Sequence, residues 1–245
     1  ARPAANDRLA MGELLKWPIP VSDVGLDVTT FTTPAPEDDH GALVLVAAEI
    51  SADTPVAAVG YEIVDETGKA VADAFDAPAS LRPLAGGRSQ YLVAVPLGPG
   101  SYRLRLGVIG RTGDRGSLDH AFDVVPWSRA MRAGDVIFGD DADGVFRPIV
   151  RLRPEQARLV ARVELRAEGL LAFDGATATV AVSRIGDGSP RETVAVQLAE
   201  VGDPGRRVVG ARFDARAFDR GEHLVTVVIT TPGGEVIARS RRISR

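Results

Sequence analysis

The second half of the chain repeats the strand pattern of its first half. Residues 100–109 read GSYRLRLGVI, and residues 221–230 read GEHLVTVVIT. When the two segments are aligned on their first glycines, apolar residues at alternate positions coincide: Leu104 with Val225, Leu106 with Val227 and Val108 with Ile229. Both segments follow a turn, Gly98-Pro99-Gly100 in one and Asp219-Arg220-Gly221 in the other. The repeat predicts two similar β-domains in tandem.

A second pair of segments supports duplication. Residues 42–50 align with residues 157–165 so that Glu49 falls on Glu164 and the apolar residues around them coincide. Trp17 and Trp127 each stand at the entry to one copy. The spacing between matched positions grows along the chain, as loop insertions in the second copy would cause. Chance similarity between two β-sandwiches is the alternative.

Almost the whole chain reads as β-structure. Short alternating or apolar runs are separated by clusters of Gly, Pro, Asp and Ser, and no segment after residue 20 keeps a helical period. About seven strands in each half is the number expected of an immunoglobulin-like sandwich. The predicted fold class is all-β, with two tandem immunoglobulin-like or fibronectin-type β-sandwich domains and a short N-terminal helix.

The domain limits follow from the breaks in this pattern. Asn6 is a suitable cap for a short helix that ends at Trp17-Pro18, with Leu9, Leu14 and Leu15 expected on one side. Residues 1–20 are therefore predicted to be a helical lead-in, residues 21–126 the first sandwich and residues 127–245 the second. The chain starts with Ala1 and shows no signal peptide, so we expect it to be either a processed protein or a piece of a longer one.

Composition excludes several classes of function. Cysteine is absent, which excludes disulfides, thiolate metal sites and cysteine nucleophiles. No apolar run reaches the length of a membrane-spanning helix, so membrane insertion is not expected. A net charge of −4 gives no electrostatic reason to expect a nucleic-acid partner.

Ser117, Asp119 and His120 lie close together in sequence and invite comparison with hydrolases. Strand alternation places His120 on the apolar face and the other two side chains on the opposite face. A structural histidine is therefore predicted rather than a catalytic one. The three histidines, His40, His120 and His223, lack the spacing of metal ligands. His223 occupies the position of Tyr102 in the repeat, which predicts a shared structural slot.

Residues 139–144, GDDADG, form a carboxylate-dense loop. Asp140, Asp141 and Asp143 are the candidate metal ligands, because calcium prefers oxygen donors. The match to an EF-hand loop fails at Gly139 and at Val150, where acids are required. The loop is interpreted as a weak calcium candidate, with a solvated turn as the alternative. No other cofactor is expected.

Three further groups are predicted to be structural. The acidic run Glu37-Asp38-Asp39 is expected to be a solvated connector. Arg239, Arg241 and Arg242 are predicted to protect a terminal edge strand from aggregation, with anion binding as the alternative. Trp17 and Trp127 are expected to pack where a helix or linker meets a domain, since aromatic residues are only 5% of the chain and exposed platforms for glycans would be few.

Four segments resemble a known family: residues 14–20 (LLKWPIP), the strand 42–50, residues 99–106 (PGSYRLRL) and residues 116–118. They resemble the region that follows the von Willebrand factor A-type domain in bacterial VWFA-related proteins. The Asp-x-Ser-x-Ser metal-adhesion motif of the A domain is not present in this sequence. The resemblance implies an exported accessory region, secreted, periplasmic or attached to the cell envelope, with no known catalysis.

The function expected from these observations is non-enzymatic. The chain is predicted to be a structural or protein-interaction module of a larger exported bacterial protein. Its partner would be another protein or another domain of the same polypeptide, and no nucleic acid is expected. An exposed strand edge, or the crevice between the domains, would make the contact. The alternative is a carbohydrate- or calcium-binding adhesin module, with an enzyme as the third choice.

Overall fold

Antiparallel strands make up most of the computed structural model, which describes residues 5–35, 41–52, 55–127, 131–141, 144–167, 173–187 and 189–245. One α-helix, α1, spans Ala5–Lys16. The contacts divide the chain into two compact units. Unit 1 consists of Ala1–Thr30 and His40–Pro126, and unit 2 consists of Phe31–Asp39 and Trp127–Arg245.

Unit 1 contains two four-stranded antiparallel sheets. Its strands are β1 (Gly25–Pro34), β2 (Ala42–Ser51), β3 (Val56–Asp65), β4 (Ala70–Asp76), β5 (Arg82–Pro83), β6 (Arg88–Leu97), β7 (Gly100–Gly110) and β8 (Arg115–Val124). Sheet I has the order β1-β2-β6-β5, and sheet II has the order β4-β3-β7-β8. The last four residues of β1 are grouped with unit 2. Short 3₁₀ turns at Pro78–Ser80 and Ala85–Gly87 flank β5.

Unit 2 repeats this arrangement. Its strands are β9 (Met131–Ala133), β10 (Ile137–Asp140), β11 (Arg147–Pro148), β12 (Arg158–Ala167), β13 (Thr177–Arg184), β14 (Glu192–Val196), β15 (Leu198–Val201), β16 (Asp203–Asp214), β17 (Glu222–Thr230) and β18 (Val236–Ser244). Sheet III has the order β11-β10-β12-β16-β15, with β9 also paired to β12, and sheet IV has the order β14-β13-β17-β18. A 3₁₀ turn at Ala215–Ala217 follows β16.

The shared strand order confirms the predicted all-β fold with two sandwiches. In each unit a long strand pairs with the long strand that precedes the final hairpin: β2 pairs with β6, and β12 pairs with β16. The final hairpin and its neighbour form the other sheet, as β3-β7-β8 and β13-β17-β18 do. The residues aligned in the sequence lie on these equivalent strands: Leu104, Leu106 and Val108 on β7 and Val225, Val227 and Ile229 on β17, all fully buried.

One prediction about an individual element is wrong, and one strand boundary depends on topology. β14 belongs to sheet IV and β15 to sheet III, because the chain crosses from one sheet to the other at Gln197. Leu9 was expected beside Leu14, but it is 71% exposed whereas Leu14 is buried. A helix turns about 100° per residue, so Leu9 lies on the side away from Leu14 and Met11 takes its place in the core.

Helix α1 packs against the outer face of sheet II on a pad made by two glycines. Gly60 and Gly107 are paired across β3 and β7. A Cβ atom at Gly107 would lie 2.7 Å from Met11 Sδ, and one at Gly60 would lie 2.8 Å from Met11 Cγ. The missing side chains therefore leave the space that the helix fills. Arg105 Nη1 donates to the Leu15 carbonyl at 3.3 Å, which satisfies a backbone group at the end of the helix.

Candidate functional site

The candidate hydrolase residues do not converge on a reaction site. Ser117 Oγ accepts a hydrogen bond from the Val21 amide at 3.0 Å, and Asp119 lies 3.7 Å from Arg105 Nε. His120 is half-buried on the other face of β8, where its Nε2 lies 3.1 Å from Thr30 Oγ1. The prediction of a structural histidine with a satisfied ring is confirmed.

The Asp-rich loop is only partly described. Asp141 is largely buried, and its carboxylate accepts a hydrogen bond from Arg212 Nε at 2.6 Å. Asp140 lies at the end of β10, and Asp143 lies outside the described residues. Within the described part of the chain, no group of three or more His, Asp or Glu side chains is arranged to hold a metal ion. A calcium ion here would have to compete with Arg212 for Asp141, and the calcium site stays a prediction.

Tyr102 and His223 occupy the same structural slot, as their alignment predicts. The Tyr102 hydroxyl donates to the Gly98 carbonyl at 2.9 Å, and His223 Nε2 lies 2.9 Å from the Asp219 carbonyl oxygen. Each side chain thus bonds to the backbone four residues earlier, at the turn before the strand. A tyrosine that makes this kind of bond is a hallmark of immunoglobulin-like sandwiches. The repeated position therefore contacts the turn before the strand in both units.

Each unit also carries an ion pair at equivalent places. Glu49 on β2 pairs with Arg88 on β6 at 3.0 Å, and both side chains are nearly buried. Glu164 on β12 receives two hydrogen bonds from Arg206 on β16, at 2.7 and 2.6 Å, which raise the pKa of Arg206. Sequence alignment identified the two glutamates but not their arginines, because the partners come from strands about forty residues away.

Two further arginines on the outer face of sheet III also have partners. Arg166 binds Asp203 at 2.8 Å, and the Arg162 guanidinium lies 5.2 Å from the centre of the Phe146 ring. Burial lowers the pKa of Arg162. These two side chains are thus held by a neighbouring acid and by an aromatic ring, whereas Arg158 on the same strand is exposed.

A tyrosine pair lies in the core of unit 1. The Tyr91 hydroxyl donates to the Asp76 carboxylate, which joins β6 of sheet I to β4 of sheet II. The Tyr61 ring lies 6.4 Å from the Tyr91 ring. Burial, with the nearby Asp76, raises the pKa of both tyrosines. Both hydroxyls therefore stay protonated at neutral pH, and the cluster closes one side of the sandwich.

The arginines near the C-terminus divide between two faces of β18. Arg239 Nε donates to the Ala133 carbonyl at 2.9 Å, and the Arg241 guanidinium lies 4.1 Å from the centre of the Phe31 ring. Both side chains therefore work inside unit 2, where burial lowers the pKa of Arg241. Arg242 is exposed on the outer face and makes no ion pair within the described residues. The role of these arginines in protecting the edge from aggregation stays a prediction, with Arg242 the exposed one of the three.

The edge of β8 is partly covered by the chain itself. Residues 21–24 run antiparallel to it, with a bridge between Ser22 and Gly116. The Ser117 amide donates to Val21 at 2.8 Å, and the Arg115 carbonyl accepts from Val24 at 3.2 Å. In an antiparallel strand, the backbone N–H and C=O groups that point away from the neighbouring strand recur at every second residue. After Ser117, the residues of β8 with such groups are Asp119, Ala121 and Asp123. They lie beyond the covered part of the edge and are exposed.

The edge of β18 is open over the equivalent stretch. Gly221 and Arg245 exchange both backbone hydrogen bonds, at 3.3 and 3.1 Å, so the alternate residues of β18 face away from β17. Ser240, Arg242 and Ser244 are those residues, and all three are exposed. The pairing with β17 is regular along the whole strand. Within the described residues no segment covers the stretch from Ser240 to Ser244. The outward-facing carbonyl of Ala238, which precedes this stretch, accepts a hydrogen bond from Arg239 Nη1 at 3.2 Å.

The two tryptophans differ from each other in burial. Trp127 is half-buried, as expected of a packing role. Trp17 is 53% exposed, and the neighbouring Ile19 is 74% exposed. The predicted packing of Trp17 is therefore wrong for half of its surface, since Met11 and Leu14 already fill the space between α1 and sheet II.

Among the described residues, no helix has the length and apolar character needed to cross a membrane.

Comparison with known proteins gives weak structural likenesses only. No family model and no curated protein matches the chain. A structure of dimeric latent PorU from Porphyromonas gingivalis aligns at 16% identity and a TM-score of 0.39, covering 99% of this chain and 21% of that one. A DUF3823 family protein from Bacteroides ovatus aligns at 8% identity and a TM-score of 0.31, covering 89% of this chain and 98% of that one.

The third structure is BcpA, the major pilin subunit of Bacillus cereus, at 11% identity and a TM-score of 0.23, covering 77% of this chain and 64% of that one. All three TM-scores lie below 0.5. The strand order of the two units is what establishes the fold.

Proposed function

We propose that this chain is a non-enzymatic structural and protein-interaction module of a larger exported bacterial protein. The observation that carries the proposal is the pair of open strand edges, Asp119–Asp123 on β8 and Ser240–Ser244 on β18. Unpaired backbone groups at a sheet edge can bind an extended segment of another chain. In unit 1 the first part of the same edge already binds residues 21–24 in this way.

The contacts of the polar side chains support this proposal. Several groups of the kinds used in catalysis instead form hydrogen bonds or ion pairs that stabilise the two units. His120 is bonded to Thr30, His223 to the Asp219 carbonyl and Tyr91 to Asp76. The buried glutamates are paired with arginines in both units. An interaction module needs such a rigid scaffold, because its binding energy is not then spent on ordering the contact surface.

Export to the cell surface or periplasm is part of the proposal. It rests on the resemblance of the sequence to the region that follows the A domain in bacterial VWFA-related proteins. The absence of cysteine from the sequence means that the module does not depend on disulfides in any compartment.

Site-specific photo-crosslinking tests the proposed role of the edges. A photoreactive phenylalanine analogue would replace Ala121 on the β8 edge or Ser240 on the β18 edge. Thr179 is the matched control, because it is exposed on the inner strand β13, which β17 separates from the β18 edge. In the envelope fraction of the bacterium that encodes the protein, we expect discrete crosslinks to protein from the two edge positions. Crosslinks that are absent, or equally strong from Thr179, would contradict the proposal.

A further inference from the structure

The open edges of the two units carry opposite charge. On β8 the exposed stretch is Asp119, Ala121 and Asp123, with both carboxylates on the outer face of sheet II. Asp119 lies 3.7 Å from Arg105 Nε, and Asp123 accepts a hydrogen bond from Ser101 Oγ at 2.7 Å, so each carboxylate has a neighbour on β7. On β18 the equivalent stretch is Ser240, Arg242 and Ser244. The strands themselves are equivalent, since each follows its hairpin partner and ends its sheet. The open edge thus carries two aspartates in one unit and one arginine in the other.

The two edges fit each other in an antiparallel register. Placing Ala121 opposite Arg242 brings Asp119 opposite Ser244 and Asp123 opposite Ser240. All three pairs then use residues whose backbone groups face outward, so each pair can exchange two hydrogen bonds. Arg242 would lie between two aspartates on its diagonals, about 7–8 Å away, within reach of its long side chain. The serines opposite the aspartates are small and can donate to a carboxylate.

Pairing between identical edges fits less well. Two β8 edges would bring aspartates against aspartates, and two β18 edges would bring Arg242 of one strand against Arg242 of the other. Like charges on facing strands are destabilising. The charges therefore favour contact between unlike edges.

We propose that β8 of one molecule pairs with β18 of a second molecule of the same chain. This inference rests on the proposed function and names the partner. The contact joins two different surfaces, so it is heterologous and leaves one open edge at each end of the assembly. Head-to-tail growth would follow wherever the geometry does not close a ring. Residues 21–24 already pair with the first part of the β8 edge within one molecule, and the β18 strand of the second molecule would pair with the rest of that edge.

Light scattering combined with size-exclusion chromatography tests the pairing through a charge exchange. The wild-type chain should show a mass that rises with protein concentration above the monomer mass of 25.8 kDa. The variant Arg242→Glu and the double variant Asp119→Lys/Asp123→Lys each place like charges on both edges. The association constant of each variant alone should therefore be roughly 30-fold lower than that of the wild type at low salt, because two diagonal charge pairs change from attraction to repulsion.

An equimolar mixture of these variants should recover assembly, since every β8 edge then meets a β18 edge of opposite charge. Arg158→Glu is the control, because Arg158 is exposed on β12, an inner strand of sheet III. This variant should assemble like the wild type. Ser240→Pro removes an outward-facing backbone amide without breaking a backbone hydrogen bond to β17; the bond to β17 that it does remove is the one between Ser240 Oγ and Thr226 Oγ1, at 2.9 Å. This variant should also prevent assembly.

Three results would overturn the inference: a wild type that stays monomeric at high concentration, charge variants that assemble like the wild type, or a mixture that does not recover. Circular dichroism would establish that each variant keeps its β-structure. Crosslinks from Ala121 and Ser240 to a different protein would leave the proposed function standing while this inference fails.

Discussion

Replacing Tyr91 with phenylalanine should destabilise unit 1 in a way that depends on pH. Tyr91 is only 1% exposed, and its hydroxyl donates to the Asp76 carboxylate. Phenylalanine keeps the buried ring but loses this bond. A hydrogen bond to a charged acceptor contributes about 1.5–3 kcal/mol, so we expect the free energy of unfolding to fall by about 2 kcal/mol at pH 8.

The cost should shrink above pH 10. Burial and Asp76 raise the pKa of Tyr91 in the folded protein, whereas an unfolded tyrosine titrates near its ordinary value of about 10. Above that value the unfolded chain releases a proton that the folded protein keeps. The stabilising contribution of Tyr91 is therefore complete below pH 10 and falls by about 1.4 kcal/mol per pH unit above it. Wild type and variant should become equally stable by about pH 11.5, since about 2 kcal/mol is lost at that rate.

Urea denaturation at pH 8, 9, 10 and 11 measures both effects. Tyr61 is present in both proteins, so its own titration cancels in the difference to first order. Tyr102→Phe is the matched control, because its hydroxyl is partly exposed and donates to a neutral carbonyl; its cost at pH 8 should be about 0.5–1 kcal/mol. A cost for Tyr91→Phe that stays constant or grows above pH 10 would refute the reasoning.

Three further perturbations test other parts of the structure. Gly107→Leu should displace α1 from sheet II and cost about 3–5 kcal/mol, seen as lost helical ellipticity and a lower urea midpoint, since its side chain needs the space of Met11. His223→Leu should cost about 1–3 kcal/mol in the same assay, because the Asp219 carbonyl loses its donor. Calcium at millimolar concentration should shift the wild-type Tm by less than about 1 °C but act more strongly on Arg212→Ala, where Asp141 is released; a larger shift in the wild type would establish the calcium site.

The sequence contained the information for the fold because the fold depends on local alternation. Leu104 and Val225 could be matched from their spacing alone, and burial follows from the two-residue period of a strand. The same period placed His120 away from Asp119. These features need no knowledge of which strands are neighbours.

The features that were missed depend on neighbours distant in sequence. Arg88 and Arg206 lie on strands that pair with those of Glu49 and Glu164, and alternation does not say which strands pair. The division of residues 192–201 between two sheets is a matter of topology. The open edge at Ser240 emerges only when the hydrogen-bonding direction of β18 is known, which is fixed by the pair Gly221 and Arg245.

Amide hydrogen exchange at low and high protein concentration tests most directly whether the open edges are the contact surface. The amides of Asp119, Ala121 and Asp123 on β8, and of Ser240, Arg242 and Ser244 on β18, should exchange rapidly in dilute protein. At high concentration they should become protected, while the residues between them, already bonded to β7 or β17, should change little. Protection that appears elsewhere in the chain, or none at these six amides, would contradict an interaction module that works through its strand edges.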